Sequence, residues 1–124
     1  MQLDAAALEF VTARHLATLT TLRPDGTPHV TPVGFTWDSD AGLARVICSG
    51  PSRKARNAAE TKRVALCQVE GGRWITLEGV ASVVSDPERV REAEERYAAR
   101  YRQPRENPLR VVLEITVDRV LGRF

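Results

Sequence analysis

Short strand-like segments alternate with turn sequences along most of the chain, and this alternation favours a meander of antiparallel strands. Residues 15–22 (HLATLTTL), 27–37 (TPHVTPVGFTW) and 43–49 (LARVICS) are rich in aliphatic, aromatic and Thr residues that suit strands. The intervening sequences, RPDG at 23–26 and DSDAG at 38–42, carry the Pro, Asp and Gly residues that favour turns. We therefore expect three consecutive strands in this part of the chain.

The second half of the chain predicts three more strands. Residues 63–69 and 74–84 have strand-like sequences, and the Gly71-Gly72 pair between them indicates a two-residue hairpin. Residues 109–121 form the last predicted strand, in which Val111, Leu113, Ile115 and Val117 share one face.

Three helices are predicted between these strands. Residues 3–14 (LDAAALEFVTAR) and 86–101 (DPERVREAEERYAARY) each contain an Asp suited to the N-cap, Asp4 and Asp86. Residues 51–60 (PSRKARNAAE) predict a third helix with Pro in its first turn.

These elements predict a mainly β (α+β) fold, a six-stranded antiparallel split β-barrel with flanking helices. At 124 residues the chain suits one domain, residues 1–124, with one hydrophobic core. Pro28 and Pro32 each lack a backbone donor, so the second strand must lie at a sheet edge or be bulged.

Composition argues against several classes of function. The formal charge of +2, with acidic and basic residues interspersed, does not indicate a nucleic-acid-binding surface. No apolar run is long enough for a membrane helix, and the N-terminal residues lack the pattern of a secretory signal. Cys48 and Cys67 are expected to be free thiols in a reducing cytoplasm. His15 and His29 have no partners at metal-ligand spacing, so no metal is expected.

The segment SGPSRKARN, residues 49–57, is a candidate anion site. It carries Arg53 and Lys54 at the start of a predicted helix, where free N–H groups and the helix dipole favour negative charge. Arg53 and Lys54 share one rim of that helix with Asn57 by spacing. From the residues alone, a phosphate site and an ordinary solvated helix start are equally supported.

No catalytic side chain is identified from the sequence. The chain lacks GxSxG, HExxH and GxxxxGK[ST] motifs, so a bound cofactor is the natural source of any chemistry. Trp74 could stack on a planar ligand, although a core or subunit-interface role suits its position better.

Taken in order, three stretches resemble the pyridoxamine-phosphate-oxidase-like split-barrel superfamily: ATLTTLRPDGTPHVTPVGFTWD, ARVICSGPSRKARN and RVALCQVEGGRWITLEGVASV. The resemblance spans residues 15–121. Two features look most like the small members that use the deazaflavin coenzyme F420, the F420-dependent biliverdin reductases among them. These are RHLATLTTL running into PHVTPVGFTWD, and RWITLEG followed by RYAARYRQPRENPLRVVLE.

This resemblance implies a homodimer with a deazaflavin, or alternatively FMN, in a groove between the subunits. The second strand would run along the ring, and the third strand and following helix would hold the phosphate. A residue of the fifth strand, from the same or the partner subunit, would face the ring. The implied cofactor-binding residues are Thr31, Pro32, Val33, Gly34 and Phe35 at the ring, Cys48, Ser49, Arg53, Lys54 and Asn57 at the phosphate, and Trp74.

The activity implied is that of an F420H2-dependent reductase, which passes a hydride to a conjugated acceptor such as the linear tetrapyrrole biliverdin. One alternative is an FMN-dependent oxidoreductase of the same superfamily. Another is a protein that binds a cofactor or tetrapyrrole without turning it over. Neither a catalytic residue nor a proton donor is assigned at this point.

Overall fold

The computed structural model describes residues 1–124 and contains three helices and seven strands. In chain order they are α1 (Ala5–Thr12), β1 (Ala17–Leu22), β2 (Pro28–Val33), β3 (Phe35–Asp38), β4 (Leu43–Ser49), α2 (Arg53–Thr61), β5 (Arg63–Glu70), β6 (Arg73–Val84), α3 (Pro87–Arg100) and β7 (Arg110–Arg123). None of the three helices has the length and apolar character needed to cross a membrane.

All seven strands belong to one antiparallel sheet, in the order β2-β1-β5-β6-β7-β4-β3. The two edge strands, β2 and β3, are consecutive in the chain and are joined only by Gly34. Because a single residue connects the opposite edges, the sheet must curl until these edges meet. The curled sheet with flanking helices confirms the predicted split-barrel fold.

The strand count differs from the prediction because residues 27–37 form two strands. Gly34 interrupts them where α3 packs closely. A Cβ at Gly34 would lie 2.9 Å from Cε2 of Tyr97 and 2.9 Å from Cε2 of Tyr101. The chain therefore leaves one edge of the sheet and enters the other at a residue without a side chain. Pro28 and Pro32 lie in β2, which pairs only with β1, so the predicted edge position is confirmed.

Local capping rules account for the helix starts. Asp4 accepts a hydrogen bond from the N–H of Ala7 at 2.9 Å, and Asp86 accepts one from the N–H of Arg89 at 3.2 Å, as predicted. The N-cap of α2 is Ser52, which places Pro51 before the helix and not in its first turn. The prediction for Pro51 was therefore wrong, because Ser52 caps the helix and the first helical residue is Arg53, two residues after Pro51.

The core fills the concave side of the sheet. Its largest fully buried side chains come from the sheet and from α1, and include Phe10, Phe35, Leu19, Leu66, Ile75, Leu77, Leu113 and Ile115. The predicted inward face of β7 is confirmed, since Val111, Leu113, Ile115 and Val117 are all buried. Burying each large aliphatic side chain contributes about 1.5–3 kcal/mol to folding.

Candidate functional site

A groove with a cavity volume of about 600 Å³ opens where β2 breaks, β4 ends and α2 begins. Its far wall is the segment that follows α3, residues 102–110. The groove therefore collects residues from four separate parts of the chain. Residues of the predicted site line this groove, whereas none of them lines the cavities beside α1, at the α1–α3 contact, behind residues 103–110 or along β5.

The structure brings together about half of the predicted cofactor-binding residues in this groove. Those that line it are Pro32, Val33, Gly34, Cys48, Ser49 and Lys54. Thr31, Phe35, Arg53, Asn57 and Trp74 do not line it.

The five remaining residues have different surroundings. Thr31 is half-buried in β2, where it pairs with Leu19 of β1. Phe35 is part of the buried core, and Arg53 is exposed on α2. Asn57 is fully buried and donates a hydrogen bond from Nδ2 to Oγ1 of Thr21 at 3.0 Å. It therefore anchors α2 to β1 and does not reach the groove in this chain. Trp74 is 38% exposed on the convex side of the sheet.

Ser49, Ser52 and Lys54 form one end of the groove, at the start of α2. The Ser52 hydroxyl donates to the carbonyl oxygen of Ser49 at 2.7 Å, while its oxygen caps the helix. Lys54 lines the groove and forms no ion pair with a carboxylate. Burial raises the pKa of the neighbouring Cys48 thiol. This side chain therefore lines the groove as a neutral, poorly nucleophilic thiol.

Residues 102–110 contribute groove residues that sequence reasoning missed. The sequence RQPRENP contributed to the family resemblance but received no site residue, yet it supplies Arg102, Gln103, Arg105 and Asn107 to the lining. Its concentration of polar side chains in a Pro-containing, non-helical stretch was the available signal. What that signal could not reveal is which surface the segment would cover.

Two contacts hold this segment over the groove. Asn107 donates from Nδ2 to Oγ of Ser49 at 2.8 Å. The N–H of Gly50 donates to the carbonyl oxygen of Leu109 at 2.8 Å. The wall is therefore tied directly to the end of β4, beside Lys54.

The charge of the groove is uniformly positive. Lys54, Arg102, Arg105 and Arg110 line it, and no Asp or Glu does. Only Arg110 has an acidic partner, Glu94, at 2.7 Å. A concave surface with unpaired cations attracts an anionic ligand, so this groove suits a molecule that carries phosphate or carboxylate groups.

The opposite end of the groove is formed by the β2–β3 break and held by the C-terminus of α3. The Tyr101 hydroxyl accepts from the N–H of Phe35 at 3.2 Å and donates to the carbonyl oxygen of His15 at 2.7 Å. Burial raises the pKa of Tyr101, so its hydroxyl remains a donor. These bonds fix the backbone immediately after Gly34.

Arg100 reinforces the same junction. It donates to the carbonyl oxygens of Phe35 and Ala13, the latter at 2.7 Å, and to Oε1 of Gln68 at 2.7 Å. Burial lowers the pKa of this guanidinium, yet arginine stays charged at physiological pH. Arg100 thus joins α1, β3 and β5 to α3 beside the groove.

A family model described as pyridoxamine 5'-phosphate oxidase matches residues 3–124. This chain belongs to the pyridoxamine 5'-phosphate oxidase family. The resemblance seen in the sequence is confirmed by this match.

Within this family, the chain is 55% identical over 121 residues to the F420H(2)-dependent biliverdin reductase of Mycobacterium tuberculosis (strain CDC 1551 / Oshkosh). The match covers 98% of this chain and 88% of the relative.

Solved structures show the same fold. A conserved hypothetical protein from Mycobacterium tuberculosis superposes with a TM-score of 0.85 at 26% identity, covering 98% of this chain and 84% of that one. A protein named F420 reductase superposes with a TM-score of 0.74 at 23% identity and covers 98% of both chains. At that identity the second likeness concerns the fold alone.

Proposed function

We propose that this chain is an F420H2-dependent reductase that transfers a hydride from the reduced deazaflavin to a conjugated acceptor, with biliverdin as the leading candidate. The observation that carries the proposal is the 55% identity, over 98% of the chain, to an F420H(2)-dependent biliverdin reductase. Since the match covers 98% of this chain, it includes the strands and segments that form the groove, and the same chemistry is expected here.

The groove residues fit coenzyme F420. Lys54 and Ser49 would hold the phosphate nearest the ring, because they lie at the helix start and offer a cation and a hydroxyl. Pro32, Val33 and Gly34 would lie along the ring, at the strand break. Further anionic groups of the cofactor require further cations, and the groove wall provides Arg102 and Arg105, neither of which is paired with a carboxylate.

When bound, the reduced deazaflavin supplies a hydride and limits the chemistry to two-electron transfer. The chain itself contributes position and surroundings. Residues 32–34 and the wall segment would confine a planar acceptor to one side of the groove. Its reacting carbon would then be held close to the deazaflavin ring in the orientation needed for hydride transfer. Val33 and Ile47 add apolar surface that displaces water from the ring end.

We further propose that a second copy of the chain completes the site. A row of uncharged side chains runs across the convex face of the sheet in register: Pro32, Thr18, Cys67, Thr76 and Leu121. Beside this row, Val69 is 61% exposed and Trp74 38% exposed. An uncharged face with exposed apolar side chains suits a subunit interface.

This convex face adjoins the groove, because Pro32 and the exposed Leu16 also line the groove. A homodimer formed through the face would therefore place the cofactor between subunits. It would also allow Trp74 of one subunit to approach the ring held by the other. The free thiols Cys48 and Cys67 support a cytoplasmic location for such an enzyme.

The test is a parallel titration of the purified protein with F420 and with FMN, followed by cofactor fluorescence, and then turnover of biliverdin with F420H2. Tight F420 binding, weak FMN binding and steady loss of F420H2 are expected. A preference for FMN would make the protein a flavin oxidoreductase. Binding of F420 without turnover of any conjugated acceptor would leave a cofactor-binding protein.

A further inference from the structure

Tyr97 is a groove residue whose role the proposed function leaves open. It lies on α3 four residues before Tyr101, and the two rings pack with centroids 4.9 Å apart. Unlike Tyr101, Tyr97 lines the groove. The Tyr97 hydroxyl is accessible to solvent and forms no hydrogen bond within the chain. The Tyr101 hydroxyl, in contrast, has three hydrogen bonds to backbone groups.

The Tyr97 ring is placed at the ring end of the groove. Cε2 of Tyr97 lies 2.9 Å from the position that a Cβ on Gly34 would occupy. Because Gly34 belongs to the stretch that would lie along the deazaflavin ring, Tyr97 is adjacent to the place where the acceptor must receive its hydride. The Tyr101 bonds to Phe35 and His15 hold this part of α3 in position.

The other proton-bearing side chains of the groove are less suited to this role. The Ser52 hydroxyl already donates to the carbonyl oxygen of Ser49, and the Ser49 hydroxyl oxygen accepts a hydrogen bond from Asn107. Both serines lie at the phosphate end of the groove. Cys48 is buried at the same end. Lys54 lies at the phosphate end as well, at the start of α2, and arginine does not release a proton in proteins. Tyr97 is therefore the neutral acid at the ring end.

We propose that Tyr97 is a catalytic residue, the proton donor that completes reduction of the acceptor; this rests on the proposed function. A hydride forms a new C–H bond at one carbon of the acceptor, and the displaced π electron pair moves along the conjugated system to a nitrogen or oxygen. That atom takes the proton from the Tyr97 hydroxyl as the O–H bond breaks. The phenolate is stabilised by the positive groove and regains a proton from water through the groove opening.

The test compares the parent with Tyr97→Phe and with Tyr101→Phe, the matched loss of a hydroxyl at the C-cap of the same helix. For Tyr97→Phe we expect unchanged F420 affinity and a kcat reduced about 10²–10⁴-fold, the usual range for a general acid. A general acid must be protonated to act, so any fall of kcat at alkaline pH that is measured for the parent should be absent from this variant. Tyr101→Phe should lower Tm while retaining the pH profile of the parent.

A second measurement is independent of turnover. Biliverdin is titrated into the parent and into Tyr97→Phe without cofactor, and its visible absorption is followed. If the hydroxyl contacts the acceptor, the variant binds about 3–10-fold more weakly, the loss expected for one hydrogen bond. A Tyr97→Phe protein with the kcat and pH profile of the parent overturns the proposal.

The two proposals can fail separately. If the parent does not oxidise F420H2 with biliverdin, the proposed function fails, and equal biliverdin binding by the parent and Tyr97→Phe then overturns the assignment of Tyr97 as well. Weaker binding by the variant would keep the contact between Tyr97 and the acceptor.

Discussion

Lys54 is one of two lysines in a chain with sixteen arginines, and it is the one that lines the groove. We predict that Lys54→Ala weakens F420 binding by about 10–100-fold, because a charge-assisted contact to a phosphate contributes about 1.5–3 kcal/mol. Fluorescence titration measures the affinity, and thermal unfolding should show an unchanged Tm.

The matched control is Lys62→Ala, which removes the same charge from an exposed position outside the groove. It should bind F420 as the parent does. If Lys54→Ala also bound like the parent, the phosphate would lie elsewhere in the groove.

Gly34 is important to the groove because it has no Cβ, which leaves room for the two neighbouring tyrosine rings. A methyl group at this position would press on the rings of Tyr97 and Tyr101. We predict that Gly34→Ala lowers the free energy of unfolding by about 1–3 kcal/mol, as overpacking does. It should also weaken F420 binding, because the added methyl group and the displaced Tyr97 ring would take up space at the ring end of the groove. Urea unfolding and fluorescence titration measure the two effects.

Gly72→Ala serves as the control, because a Cβ there would meet nothing within 4 Å. Its stability and F420 affinity should match those of the parent. If Gly34→Ala had the same stability and F420 affinity as Gly72→Ala, the rings of Tyr97 and Tyr101 would be able to move and accommodate a methyl group at no cost.

At the scale of elements, Asp38 joins the β3–β4 turn to α3. Its carboxylate accepts hydrogen bonds from Arg45 at 2.7 Å and from the N–H groups of Asp40 and Ala41. It also forms an ion pair with Arg96 of α3 at 3.1 Å. Burial acts to raise the pKa of Asp38, but the hydrogen bonds from Arg45 and Ala41 and the charge of Arg96 outweigh it. The pKa therefore lies below its ordinary value.

A depressed pKa of Asp38 in the folded state predicts loss of stability in acid. The contribution is fully present above the unfolded-state pKa of about 3.9 and is lost as pH falls from there through the folded-state pKa. Urea unfolding between pH 3 and pH 7 should show this decline. Asp38→Asn should be less stable at pH 7 and should decline less in acid.

Asp40→Asn provides the comparison, since Asp40 is exposed and its carboxylate forms no ion pair. It should follow the acid decline of the parent. An Asp38→Asn protein with the same decline as the parent would assign the acid sensitivity to other carboxylates.

At the scale of the whole molecule, the convex apolar face predicts a dimer. We expect the parent to sediment as a dimer and Thr76→Arg to sediment as a monomer, because Thr76 lies near the centre of the uncharged row and a buried unpaired charge is costly. If the cofactor lies between subunits, the variant should also lose F420 affinity. Sedimentation velocity and fluorescence titration on the same samples test both expectations.

Ala59→Arg introduces the same charge on the exposed side of α2. It should remain a dimer with the F420 affinity of the parent. A Thr76→Arg protein that stayed dimeric would remove the convex face from consideration as the interface.

Features that depend on neighbouring residues were predictable from the sequence. The caps Asp4 and Asp86, the Gly71-Gly72 hairpin with Glu70 paired to Arg73, and the inward face of β7 all follow from local hydrogen bonding or from the two-residue repeat of a strand. The edge position of β2 followed from its prolines for the same reason. Together with the order of its motifs, these features were enough to place the chain in its family.

Only the tertiary structure determined how these elements meet. The break at Gly34 depends on packing against tyrosines more than sixty residues away. Asn57 does not line the groove because its side chain donates a hydrogen bond to the hydroxyl of Thr21. Asn107 brings the arginine-bearing wall to Ser49, 58 positions earlier in the chain. Such contacts arise when the sheet curls and its edges come together, and no local repeat in the sequence encodes which distant side chains this closure brings into contact.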